Sequence, residues 1–261
     1  MSTNELEFEL QNEMCVALTS LLNADISNTI LKLIGCHDHS YNSSLLWEWL
    51  YQRSVLHVPL GRVFTELIES EGLLRELKKE RFADFGNRKH AFKSYASGKV
   101  YYWPHSPFLF SSSFGPCLFT LTSMLMAHFQ WLHVAPDVLL TLYNESSSHL
   151  NFHQDIFEGK PEHVILFFCG GERDLFVKAI CSVQFCKTAH CSAEKCIILT
   201  PSANTLFEHA KSTATTDNKQ SVSIAFRNGI SIFNVCRKSK SIQRKLGIDK
   251  QMLKTLASLG L

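Results

Sequence analysis

No stretch of this chain approaches the roughly 20 apolar residues that a bilayer-spanning helix needs, so no membrane association is expected. The start, Met1-Ser-Thr-Asn-Glu-Leu-Glu7, is acidic and lacks a basic and apolar leader, so no secretion signal is expected either. Charge of one sign is missing too: the net charge is +2, which gives no bulk electrostatic signature of a nucleic-acid binder. The nine cysteines are odd in number, scattered, and without the spacing of a small secreted disulfide framework. An intracellular, reducing compartment (cytoplasm or nucleus) with free thiols follows as the expectation. Cys181, Cys186, Cys191 and Cys196 recur every five residues with His190 between them. They lack the Cys-x2–4-Cys knuckles of structural zinc, and on strands such a step sends neighbours to opposite faces. Free thiols on a hairpin are expected. No internal repeat or long low-complexity stretch is present, the chain names no protein partner of its own, and a monomer is expected.

What the chain does have is apolar patterning. With 261 residues, 45% of them hydrophobic, it can build one sizeable core with a smaller appendage. Leu6, Leu10, Met14, Leu18, Leu21 and Leu22 recur at helical spacing, so 1–34 reads as helix, followed by a polar loop with His37-Asp38-His39. Residues 44–52 and 62–82 read as further helices, and Phe114 to Trp131 as a buried one. Beyond these, short apolar runs alternate with polar turns: Val138–Tyr143, Val164–Phe168, Asp174–Lys178, Cys196–Thr200, Val222–Phe226 and Ile230–Val235. Strands at roughly ten-residue intervals, with few helices between them, point to a jelly-roll rather than βαβ units. The expected class is α+β with a mainly β core, a double-stranded β-helix (jelly-roll), and N-terminal helices packed on its outer face. The expected organisation is a helical region over 1–85, a core over 86–235 and a basic helix or tail over 236–261.

The chemistry concentrates in Leu150-Asn-Phe-His-Gln-Asp-Ile156, with His209 56 residues after His153 and then Arg227. His153 and Asp155 are two apart in a segment that reads as a strand, so both side chains are expected on one face. A histidine from a distant strand, His209, would complete three ligands on one side of an Fe(II). The opposite side would stay open for a chelating co-substrate and oxygen. A His-x-Asp triplet alone says little: 12 His and 8 Asp in 261 positions give about 0.4 by chance. Its context says more. The triplet follows the strand ending at Tyr143 and a polar turn; His209 follows a strand and the turn Pro201-Ser-Ala-Asn204. Arg227 closes an alternating run, Ser221-Val-Ser-Ile-Ala-Phe-Arg227, whose period of two reads as a half-buried strand. A buried arginine there needs an anionic partner, and a bound dicarboxylate would be one.

In order and spacing these segments resemble the AlkB-like 2-oxoglutarate- and Fe(II)-dependent dioxygenases over approximately residues 86–235. The resemblance rests on Tyr143, His153-Gln154-Asp155, Cys196 to Thr200, Leu206-Phe-Glu-His209 and Ile224-Ala-Phe-Arg227. It implies that His153, Asp155 and His209 bind the catalytic iron, and that Arg227 and Tyr143 hold 2-oxoglutarate. The activity it implies is oxidative demethylation of alkylated nucleobases in DNA or RNA. Three positions depart from the family pattern. Ser221 stands where a first arginine, six before the second, is usual. Thr141 replaces an Asn, and the loop from Tyr143 to His153 is about one residue longer. Losing one arginine removes a charge-assisted pair worth roughly 1.5–3 kcal/mol. Lys211, Lys219, Ser221 and Ser223 are the candidates to replace it. The alternative reading is a catalytically weak or inactive AlkB-like module that binds nucleic acid or protein.

Between Arg81 and Trp103, basic residues (Arg88, Lys89, Lys93, Lys99) interleave with aromatics (Phe85, Phe92, Tyr95, Tyr101, Tyr102). Such a pattern can neutralise phosphates and stack an extruded base. The resemblance implies a nucleotide lid over 86–110, with Arg88, Lys89, Phe92, Tyr95 and Tyr102 as substrate contacts. The plainer reading is a pair of edge strands with inward aromatics.

Overall fold

From Val138 onward the chain crosses repeatedly between two antiparallel sheets. The computed structural model describes residues 42–94, 99–101, 109–129, 137–144, 148–157, 160–161, 163–170, 173–180, 182, 184–212, 220–227, 230–231, 249, 251 and 254. The helix expected over 1–34, His37-Asp38-His39, Tyr95, Tyr102, Cys181, Lys219 and nearly all of the basic tail lie outside these residues.

Helix α1 (Asn42–Ser54) leads into strand β1 (Val55–Pro59), then helices α2 (Arg62–Glu69) and α3 (Glu71–Lys78). A hairpin of β2 (Ala83–Phe85) and β3 (Arg88–Lys93) follows, then β4 (Lys99–Tyr101), β5 (Leu109–Phe110) and helix α4 (Pro116–His128). The remaining strands are β6 (Val138–Tyr143), β7 (Leu150–His153), β8 (Ile156–Phe157), β9 (Lys160–Pro161), β10 (Val164–Gly170), β11 (Arg173–Ala179), β12 (Cys186–Cys191) and β13 (Lys195–Leu199). A short helix α5 (Ala203–Leu206) precedes β14 (Phe207–Lys211), β15 (Ser221–Phe226) and β16 (Ile230–Ser231).

A seven-stranded sheet has the order β1-β13-β10-β15-β6-β3-β2, and a four-stranded sheet the order β12-β11-β14-β7. Taken along the chain, β6, β10, β13 and β15 belong to the first sheet and β7, β11, β12 and β14 to the second. That interleaving is a double-stranded β-helix, the jelly-roll read from the strand spacing. Residues before 86 supply both edges of the larger sheet, β1 and β2.

The larger sheet is covered on both faces, and residue parity decides what each side chain meets. In β10, Val164, Leu166 and Phe168 join the core between the sheets. Ile165, Phe167 and Cys169 instead pack with Leu73 and Leu77 of α3 and with Leu118, Leu121 and Leu125 of α4. The segment 221–227 corrects the expectation of a half-buried strand: every residue of β15 is buried. Its apolar residues Val222, Ile224 and Phe226 meet the helix layer, while Ser223 and Ala225 line a cavity and Ser221 meets Arg173.

The helix expected over 62–82 is two helices. Ser70 breaks it, accepting the Leu73 N–H on its hydroxyl at 3.1 Å and capping α3. Helix α4 starts at Pro116, where the Glu76 carboxylate accepts the N–H groups of Cys117 and Leu118 at 2.8 and 2.9 Å. It is not buried all round: Phe119 and Met126 are about half exposed. The cysteine run disperses, with Cys186 exposed, Cys191 buried on β12 and Cys196 buried on β13 in the other sheet.

Gly170 closes β10 with φ +93°, and a Cβ there would lie 2.6 Å from the Gln220 carbonyl oxygen. Gly170→Ala is therefore expected to destabilise the fold by about 1–3 kcal/mol through backbone strain alone, with the clash adding to it. Urea unfolding of the variant against the parent checks this.

Candidate metal centre

His153 and His209 are directly opposite each other across the β7–β14 pairing. Their rings lie 4.2 Å apart, centroid to centroid. Strand β7 ends at His153, so Asp155 lies beyond it, which corrects the expectation that one strand aims both side chains. Asn204, at the start of the turn into β14, does the aiming instead. Its Oδ1 accepts the Asp155 N–H (3.3 Å), and its carbonyl accepts a hydrogen bond from Gln154 Nε2 (2.8 Å). His153 donates Nδ1–H to the Asn151 carbonyl at 2.9 Å, which leaves Nε2 for the site.

The result is a cluster in which one ligand atom from each of His153, Asp155 and His209 lies within 4.8 Å of the others. Among the described residues it is the one group of three or more His, Cys, Asp or Glu so arranged. His153 Nε2 is 3.8 Å from Asp155 Oδ1, and His209 Nε2 is 3.4 Å from Asp155 Oδ2. Burial, reinforced by the neighbouring His209, pushes His153 down to about 4, so it is neutral at pH 7 and carries a lone pair on Nε2. Burial alone would favour protonated Asp155. Arg227, 2.5 Å away, outweighs it together with His209 and holds the carboxyl well below its usual range. Two imidazoles and an ionised carboxylate on one side of a point are the donor set that a divalent first-row metal such as Fe(II) takes.

The cluster opens into a cavity of about 320 Å³. Arg88 and Arg227 line it against a single carboxylate, Asp155, with Lys211 beside them, its ammonium pushed down to about 7 by burial, so the lining carries a net positive charge. Tyr143 and Ser223 share a hydrogen bond at its wall, and burial pushes the tyrosine phenol up to about 12. Arg227 sits 5.1 Å from the ring of buried Tyr101.

The other expected residues separate. Arg88 reaches the cavity, donating from Nε to His90 Nε2 at 3.2 Å. Lys89 pairs with Asp84 at 3.2 Å, outside the cavity. Phe92 is core, 6.1 Å from the Tyr101 ring. Lys93 pairs with Glu80, and Lys99 with Asp137. Of that basic segment, Arg88 is the cation that lines the cavity.

Three site residues escaped the sequence reading. Asn204 was legible only as part of a turn. His90, buried beside Thr141 (3.0 Å), is pushed down to about 3 by burial and by Arg88. Accepting from Arg88 on Nε2, it carries its proton on Nδ1. Arg173 is fully buried beside Ser221, the position where the resemblance implied an arginine. It donates to Ser221 Oγ (2.7 Å) and to the carbonyls of Ser148 and Ser212, with its guanidinium 4.7 Å from the Tyr143 ring.

No protein-family model and no curated protein matches the chain. Among solved structures it is similar to the structure of OsALKBH1, at 13% sequence identity and a TM-score of 0.48, over 67% of this chain and 98% of that one. No described helix is long and apolar enough to cross a membrane.

Removing the guanidinium by Arg227→Met leaves a buried carboxylate with no cation 2.5 Å away. The expected loss at pH 7 is about 3–5 kcal/mol. In the parent, the depressed Asp155 adds stability above its unfolded value, lost only as pH falls into the strongly acid range. In R227M the sign reverses: burial raises the carboxyl, so acidification from pH 7 to 5 narrows the gap to the parent. Urea titrations at the two pH values check both the size and the reversal.

Proposed function

We propose that this chain is an Fe(II)- and 2-oxoglutarate-dependent dioxygenase of AlkB type that oxidatively demethylates alkylated nucleobases in DNA or RNA. The observation that carries the proposal is the convergence of His153, Asp155 and His209 at the head of a cavity with excess positive charge. A cavity of that size and charge suits a small dianion, and the donor set suits ferrous iron.

In the proposed roles, His153 Nε2, the Asp155 carboxylate and His209 Nε2 hold the metal. Arg227 keeps Asp155 ionised and is placed to meet the co-substrate; Tyr143 and Ser223 present hydroxyls to the same space. When bound, ferrous iron supplies oxygen activation. In overall balance, one atom of O2 enters 2-oxoglutarate, which loses CO2 to become succinate, and the other enters an N-methyl group that departs as formaldehyde. Arg88, half-buried, and Phe152, 40% exposed beside His153, line the same cavity and suit a phosphate and a stacked base. The rim is the basis for proposing a nucleic-acid substrate.

Two observations favour a catalytically weak or inactive binding module as the second reading: Ser221 replaces an arginine, and Arg227 is already engaged by Asp155. Anaerobic Fe(II) titration separates the two. The enzyme reading expects a metal-to-ligand charge-transfer band on adding 2-oxoglutarate, and no band would favour the module. His209→Ala is expected to abolish succinate production; unchanged turnover would reject iron at this site. Formaldehyde release from methylated oligonucleotides but not methylated peptides is the expected substrate pattern, and the reverse would remove the nucleic-acid assignment.

A further inference from the structure

We propose that Lys211 is the cationic anchor for the far carboxylate of a short dicarboxylate ligand, in place of the arginine that position 221 does not supply. The proposal rests on reading His153, Asp155 and His209 as the metal ligands.

Lys211 is 4% exposed, yet no described residue gives its Nζ a hydrogen-bond partner. The other buried cations among the described residues are engaged: Lys93 by Glu80 and Ser113, Arg173 by Ser221, Ser148 and Ser212, and Arg227 by Asp155. The Lys211 ammonium instead lies 3.5 Å from the centre of the Phe168 ring and 4.8 Å from that of Tyr143. Aromatic faces attract a cation but leave its three N–H donors without acceptors. A buried ammonium in that state is costly unless it gives up its proton or something brings the missing acceptors. Lys211 lines the cavity that the metal cluster heads, so a ligand there can bring them.

The backbone sets the distance. Lys211 and His209 are two residues apart on β14, hence on the same face, about 6.6–6.8 Å apart along a strand. That is comparable to the end-to-end span of a five-carbon dicarboxylate. The β7–β14 pairing shifts register between these two positions, so His209 faces His153 while Lys211 faces Leu150. One end of the ligand lies at the metal cluster and the other at the ammonium. Arg173 does not take this role: it does not line the cavity, and Ser221 and two backbone carbonyls already take its N–H groups.

The test compares binding, without turnover, of 2-oxoglutarate and of 2-oxovalerate, which keeps the keto-acid head but lacks the far carboxylate. Calorimetry on the Mn(II)-loaded parent is expected to show a preference for 2-oxoglutarate. Lys211→Met is expected to weaken 2-oxoglutarate by about 10- to 100-fold, with 2-oxovalerate and Mn(II) affinity unchanged. Its melting temperature is expected to match or exceed the parent's, because an uncompensated charge has been removed. Lys211→Gln supplies a second uncharged variant if K211M fails to fold. Equal weakening of both keto acids, undiminished 2-oxoglutarate binding in the variants, or a parent that binds Mn(II) but neither keto acid would overturn the anchor. A parent that takes up no Mn(II) would defeat the metal reading instead. The anchor would then be decided by glutarate against butyrate on the metal-free chain: a Lys211-dependent preference for glutarate upholds it, and none sinks it.

Discussion

The site depends on one buried carboxylate staying ionised. Asp155 follows the last residues of a strand in the smaller sheet, and Arg227 follows the last strand of the larger one. Their pairing joins the two sheets at the point where chemistry is expected. The Arg227 backbone N–H is itself fixed on the Asp137 carbonyl at 3.0 Å, so the guanidinium is delivered from a rigid end. A buried ion pair of this kind adds little net stability compared with apolar packing. What it provides is geometry, since it holds a charged oxygen beside two imidazoles with no need for solvent.

Much of this was legible along the chain because strand parity and turn residues are local signals. The jelly-roll followed from short apolar runs at regular intervals, and the order His153, Asp155, His209, Arg227 marked the residues that the fold brings together. What stayed hidden depends on registers between distant segments. Arg173 and Ser221 are 48 positions apart, and nothing near either one announces that they meet. Asn204 reads as a turn former until Asp155 is placed against it. Period two along 221–227 reveals two faces but not what covers each, and both faces of β15 are buried. The basic residues around Phe92 read as a phosphate-binding surface for a similar reason. Glu80 and Asp137, which engage two of them, come from flanking elements of the fold.

Lysine and arginine divide the work in and around the cavity according to their shapes. Arg173 and Arg227 use their planar forks on fixed oxygens: a hydroxyl, carbonyls and a carboxylate. Lys211, a compact charge on a flexible stem, rests against aromatic rings, a setting that demands less directional geometry. Substituting one residue type for the other would therefore change more than charge. A serine at 221 leaves room for Arg173 to fill, which in turn ties the Ser148 and Ser212 carbonyls to the start of β11.

The alternation along β15 separates two kinds of selection. Its even-numbered residues press on helices and answer to packing; Ser223 and Ala225 line the cavity, and Ser221 meets the buried Arg173. Drift on one parity class can thus retune ligand preference while the other keeps the scaffold intact. Ser221 is such a position: its hydroxyl takes a hydrogen bond from Arg173 at 2.7 Å, while its neighbour Val222 holds the helix layer.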